Sequence, residues 1–282
     1  MRRYLLALAA TLGFAVTSLP ADAAVADEVE NCAACEAVLD LALANPRREG
    51  DRARDTWRHP QETLSFFRVR PGMTVVDYMP SGGWWTRVLV PYLGETGSYI
   101  GLNPDVTAAS EGWKSYANLA GTLPEKAAGW TGVPAARIGA YNTDGLPPAL
   151  NGTVDRVLIF RELHNLKSEG WLARELNTAR ALLKPDGLLG IEQHRAKADA
   201  PDAYADGSKG YLREKDVIAS VEAQGFQLVG KSEINANPRD PANHDAGVWT
   251  LPPNFRLGEK DRDRYAAIGE SDRMTLLFRK RP

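Results

Sequence analysis

The sequence predicts an α/β protein: a seven-stranded, mostly parallel sheet with an antiparallel last strand, helices on both faces and an N-terminal helical extension. Three observations predict it. From residue 71 onward, apolar β-rich runs alternate with segments of helical periodicity, the pattern of right-handed βαβ units. Glycine, or Lys184-Pro185-Asp186-Gly187, closes several of the helical segments. The last two apolar runs, 226–234 and 274–279, form a hairpin-like closing pair. The chain has 282 residues, of which 44% are hydrophobic and 25% charged. This is globular composition, and the length allows one large domain or two small ones.

Residues 1–23 read as a secretory signal. Arg2 and Arg3 give a short positive region, Tyr4 to Val16 an apolar run, and Ala21-Asp22-Ala23 a small-residue cleavage pattern. The chain is therefore expected to be exported, to the periplasm, and cleaved after Ala23 or Ala24. The apolar run is short for the roughly 30 Å of hydrocarbon that a spanning helix crosses, so no stable membrane insertion is expected after cleavage. The Arg2-Arg3 pair also resembles a twin-arginine signal. Removing residues 1–23 takes away two arginines and one aspartate and changes the net charge from −2 to −3.

Residues 24–57 form the expected helical extension. Asp27 to Ala44 carries a rough apolar stripe and ends at Asn45-Pro46. Residues 47–58, dense in arginine and aspartate, are expected to be a solvated connector or an exposed helix. The only cysteines, Cys32 and Cys35, fit a local disulfide or two free thiols; there is no second pair to make a zinc site.

The main domain is expected over 58–282. His59-Pro60 opens a helix bearing Leu64, Phe66 and Phe67. Strand one spans Thr74 to Met79, followed by a helix from Trp84 to Leu93. Strand two spans Ser98 to Leu102, with a helix around Ala108 to Ala120. Strand three spans Arg137 to Tyr141 and strand four Val154 to Phe160, followed by a helix from Glu169 to Leu183. Strand five spans Leu188 to Gln193, with a helix from Arg213 to Gln224 before the closing pair. Residues 235–272, rich in Asn, Pro and Asp, read as a long excursion of the kind that often covers a site.

Ligands of an open parallel sheet bind at the carboxyl ends of its strands. After strand one stands Asp77-Tyr78-Met79-Pro80-Ser81-Gly82-Gly83-Trp84-Trp85. Its glycine spacing does not match the dinucleotide fingerprint G-x-G-x-x-G, which disfavours an NAD-linked oxidoreductase. Trp84 and Trp85 are expected to pack in the helix rather than to form a stacking platform. Strands four and five deliver His164 and His194, each near an arginine, Arg161 and Arg195. Adjacent strand ends would place both rings in one pocket, where imidazole can act as a general base near neutral pH. Three histidines can also hold zinc, but no carboxylate or fixed spacing accompanies these, and no metal is assigned.

Val75-Val76-Asp77 with the glycine turn resembles the first motif of S-adenosyl-L-methionine (SAM)-dependent methyltransferases. A wider ordered set is similar to a family of exported bacterial methyltransferases: Arg58-His59-Pro60, Arg70-Pro71-Gly72-Met73-Thr74, Gly82-Gly83-Trp84, Arg161-Glu162-Leu163-His164-Asn165, Leu183-Lys184-Pro185-Asp186-Gly187 and Glu192-Gln193-His194-Arg195. The resemblance runs from about residue 45 to the C-terminus. It implies a Rossmann-like fold and SAM as cofactor. Asp77 would accept from the SAM amino group, and Ser81, Gly82 and Gly83 would face the methionine part. Asn103 would meet the ribose, and Asn142, in the stretch ahead of Leu146-Pro147, the adenine. Ser81 and Met79 stand where glycines are usual, and Asn103 where an acid is usual. A neutral partner in place of a charged one weakens a hydrogen bond enough to lower nucleoside affinity by about tenfold.

The expected activity is methyl transfer from SAM to an unidentified small-molecule acceptor by direct displacement, with His164, His194, Arg161 and Arg195 as the candidate catalytic residues. Such chemistry depends first on in-line positioning. Near-neutral charge and the lack of a Lys/Arg run give no case for nucleic acid. SAM is made in the cytoplasm, which leaves a second expectation open: a non-catalytic exported ligand-binding protein on the same fold.

Overall fold

Seven strands hold the apolar runs of the sequence in one sheet: β1 Thr74–Tyr78, β2 Ser98–Asn103, β3 Ile138–Asn142, β4 Val154–Phe160, β5 Leu183–His194, β6 Phe226–Ser232 and β7 Arg273–Lys280. The computed structural model describes residues 32–281. The expected signal segment and the first residues of the expected helix Asp27–Ala44 lie outside the described residues. The sheet order is β3-β2-β1-β4-β5-β7-β6. Strands β1 to β5 pair in parallel, and β7 runs antiparallel to both β5 and β6. This is the expected architecture.

The described helices are α1 Ala33–Ala44, α2 Asp55–Arg58, α3 Pro60–Phe66, α4 Thr86–Leu93, α5 Leu123–Thr131, α6 Leu163–Ser168, α7 Leu172–Leu182, α8 Glu214–Glu222 and α9 Arg262–Ile268. They cover both faces. Leu39 of α1, Leu64 of α3, Val88 and Leu89 of α4, and Leu123 of α5 share one buried cluster with the sheet. Leu163 and Leu166 of α6, Leu176 of α7, and Val217 and Val221 of α8 share the other. With both faces covered, the central strands read as near-continuous apolar runs: Val75, Val76, Val157 and Leu158 are all fully buried. Burying each such side chain stabilises the fold by roughly 1.5–3 kcal/mol. Strand order reverses between β1 and β4, which opens a crevice at their carboxyl ends.

Three expectations are corrected. The helix expected around 108–120 is not an α-helix but a shorter 3-10 helix, Glu111–Tyr116; α5 starts later with Pro124 in its first turn. The helix expected over 169–183 starts later, as α7 at Leu172, because an unexpected α6 runs up to Ser168 and Gly170, with φ of 72°, separates the two. Residues 47–58 are not a solvated connector, because Arg48 and Arg58 are completely buried. Arg48 places both Nη atoms on Asp55, at 3.1 and 2.7 Å, and its guanidinium lies 5.1 Å from the Trp84 ring centroid; that of Arg58 lies 4.6 Å from the same ring. A guanidinium tolerates burial when a carboxylate and an aromatic face replace its water. Both cysteines are disulfide-bonded.

Candidate functional site

The loop from β1 to α4 forms one wall of the crevice. Met79, Ser81 and Gly83 adopt φ of 54°, 48° and 73°. A left-handed backbone at a non-glycine residue costs roughly 1–2 kcal/mol. Met79 and Ser81 nevertheless hold it, so the loop follows a path that glycines adopt more readily. Gly83 itself is indispensable to that path, because a Cβ there would overlap the Trp130 ring. Around the loop lies a cavity of about 280 Å³, lined among others by Arg58, Asp77, Ser81, Gly82, Arg161 and Glu162. Trp84 and Trp85 are buried, as packing residues should be, yet both also border this cavity. Trp85 stacks on Phe160 with ring centroids 4.1 Å apart.

Asp77 is buried at the end of β1. Its Oδ2 accepts from the Tyr99 hydroxyl at 2.8 Å and from Thr86 Oγ1 at 3.4 Å. Burial raises its pKa to about 7, with those two hydrogen bonds pulling the other way. Across the cavity Glu162 is also raised to about 7, first by burial and further by the charge of Asp77. Asn165 Nδ2 donates to Glu162 Oε2 at 2.6 Å.

A second cavity of about 170 Å³ adjoins the first and shares Arg161, Glu162, Pro253 and Asn254 with it. His164 and His194 line this part together with Ser271. Their ring centroids are 5.7 Å apart, so the sequence-predicted pair does share a pocket. Ser271 Oγ lies 2.6 Å from His194 Nδ1. Burial lowers His164 to about 4 and His194 well below the ordinary histidine value; for His194 the neighbouring His164 adds to the effect. Both rings are therefore weaker bases than a free imidazole. The excursion 235–272 supplies the roof through residues 248–254 and 270–271, as a long covering loop should.

The other site residues separate. Arg161, with φ of 63°, faces both cavities, and its Nε is buried without a hydrogen-bond partner. Arg195 lines neither cavity: it is taken up by Glu233 at 2.7 Å, Asp272 at 3.0 Å and Glu214 at 3.3 Å. The amides of Asn103 and Asn142 both donate to the Tyr116 carbonyl, at 3.1 and 2.8 Å, and so fix the loop after β2. His59 Nδ1 lies 3.4 Å from Asn235 Oδ1. Among the described residues no three His, Cys, Asp or Glu side chains are grouped to hold a metal.

Sequence reasoning missed Glu162, Arg58 and Glu270 as site residues. Glu162 stood inside the quoted Arg161–Asn165 stretch, two residues past the end of strand four, and its position there was the available signal. Glu270 is reached only through the fold. It accepts from Arg54 at 2.7 Å, Arg273 at 3.2 Å and Arg58 at 3.3 Å. Burial alone would raise Glu270, but the arginines outweigh it and hold it at about 2.

No protein-family model matches the chain, and no curated protein matches it. Among solved structures it is similar to the cyclase SpnF, with 16% identity over 84% of this chain and 86% of that one and a TM-score of 0.51. It is also similar to a protein from Galdieria sulphuraria that carries the name of a sarcosine dimethylglycine methyltransferase, with 14% identity over 82% and 86% of the two chains and a TM-score of 0.50. A SAM-dependent methyltransferase from Aquifex aeolicus matches at 19% identity over 66% of this chain and 88% of that one, with a TM-score of 0.47. At such identities the likeness is one of fold, and together with the sheet order it gives the chain the Rossmann-like methyltransferase fold.

Proposed function

We propose that this chain is a SAM-dependent methyltransferase acting on a small-molecule acceptor. The observation that carries the reading is the β1–α4 loop: the left-handed Met79 and Ser81, with Gly82, line a cavity that Asp77 also lines. Asp77 Oδ2 is engaged by Tyr99 and Thr86, which leaves Oδ1 for the amino group of a methionine moiety. Bound SAM would supply an electrophilic methyl. The chain's own part is to hold the acceptor in line with it, to keep water out beneath residues 248–254, and to take a proton at Glu162, whose value near 7 suits a base at neutral pH. Each cavity alone lies below the roughly 300 Å³ usual for a ligand site, and joined they exceed it. Calorimetry with SAM, its demethylated product and NAD tests the reading: binding of the first two and not the third is expected.

One observation favours a second reading, a ligand-binding protein without catalysis. Asn103 and Asn142 are both committed to the Tyr116 carbonyl, so a nucleoside reaching them must displace that loop. Absence of SAM binding at millimolar concentration would select this alternative. We also propose export with a mature N-terminus near Ala24. N-terminal sequencing of the cell-envelope fraction should find it, and an intact Met1 on a cytoplasmic protein contradicts it.

A further inference from the structure

Arg54, Arg58 and Arg161 border the crevice, and the buried Arg273 shares their carboxylates. The buried carboxylates that oppose them are Glu192 and Glu270. Arg273 takes up Glu192 at 2.8 Å and shares Glu270 with Arg54 and Arg58. Among the described residues Arg161 forms no ion pair and its Nε is buried without a partner; Glu192, whose Oε2 is also unpartnered, and Glu270 oppose its charge only from beyond ion-pair distance. Arg58 Nη1 is also buried without a partner. Both guanidiniums border the larger cavity, and Arg161 borders the smaller as well. Burying a cation without a full counter-charge is costly, and here Arg58, which shares Glu270 with two other arginines, and the unpaired Arg161 lie near enough to repel each other. The nearby acids relieve this only in part. Asp77 and Glu162 sit at about 7 and so carry part of a charge each at neutral pH, while Asp51 is committed to Arg87.

We propose that the crevice is an anion site, and that the acceptor it takes is a small molecule bearing a carboxylate or similar oxyanion, seated against Arg161 where the two cavities meet. A planar fork aimed into a cavity suits such a group, which can accept two parallel N–H donors from it. Asn254 and Ser271, which line the same cavity, are further donors at its wall. As a statement about the acceptor, this rests on the methyl-transfer reading; anion binding by itself does not.

The test is calorimetry of the full chain with sodium succinate and, separately, inorganic phosphate, without SAM and at ionic strength held constant with sodium chloride. Saturable binding of succinate or phosphate is expected, and the tighter of the two names the oxyanion. Arg161→Gln should weaken that binding by at least about tenfold, the loss of one charge-assisted hydrogen bond, whereas Arg195→Gln should bind as the wild type does. If Arg161→Gln does not fold, Arg161→Lys, which keeps the charge and loses the fork, should still weaken binding measurably. Wild-type protein that binds neither anion, or an Arg161→Gln or Arg161→Lys protein that binds with wild-type affinity, overturns the inference. SAM binding without anion binding overturns it and leaves the methyl-transfer reading standing; anion binding without SAM binding does the reverse.

Discussion

His164, just past the end of β4, and His194, the last residue of β5, place their ring centroids 5.7 Å apart across one small cavity. Two strands that pair in parallel, Phe160 beside Glu192, set that separation. The rings differ in their attachments: His194 meets the Ser271 hydroxyl at 2.6 Å, whereas His164 has only Gln193 Nε2 at 3.5 Å.

His194→Ala should cost about 1 kcal/mol of stability, the worth of one hydrogen bond. It should also remove most conversion of SAM to methylated product over an extract of small metabolites. Thermal unfolding and product analysis check the two halves. A ring that only packs would leave conversion per folded molecule unchanged.

The pH dependence of stability contains two opposed contributions. Asp77 and Glu162 titrate near 7 in the fold but near 4 in an unfolded chain. The folded state therefore binds more protons, and this contribution is lost as pH rises from about 4 to 7. His164 and His194 act in the other direction. Neutral in the fold and protonated below about 6.5 when unfolded, they cost stability as pH falls from about 6.5 towards 4. Asp77→Asn removes one of the two carboxyl contributions. Urea titrations at pH 5 and pH 8 should show the variant losing less stability than wild type over that range, by about 2.5 kcal/mol, the part of the contribution lost between about pH 5 and 7. An unchanged pH slope contradicts the buried-carboxyl account.

Gly83→Ala and Ser81→Gly should behave oppositely, although the two residues share a left-handed conformation. The alanine Cβ meets the Trp130 ring and the strained backbone together, for a loss of roughly 2 kcal/mol or more. The Ser81→Gly change relieves strain and adds unfolded-state entropy in similar amounts, so it should stay within about 0.5 kcal/mol of wild type. Denaturant midpoints measure both.

The sheet was legible because its signal is local. Val154 to Phe160, apolar from Val157 onward, forms β4 over those same residues. Strand ends then located Asp77, Arg161, His164 and His194 by position alone. What the sequence hid depends on distant pairing. Arg58 and Glu270 stand 212 residues apart, and no periodicity links them. The run 108–120 contains good helix formers, but its backbone is held otherwise: the Tyr116 carbonyl is captured by Asn103 and Asn142, and the Leu119 amide donates to Asn142 Oδ1 at 3.1 Å. Tertiary hydrogen bonds outweigh propensity there.

The most direct test of methyl-donor binding is calorimetry of SAM against the wild-type chain and an Asp77→Ala variant shown by circular dichroism to be folded. Saturable binding to the wild type, lost in the variant, is the predicted result. No binding to the wild type at millimolar SAM, or equal binding to both, would contradict the account.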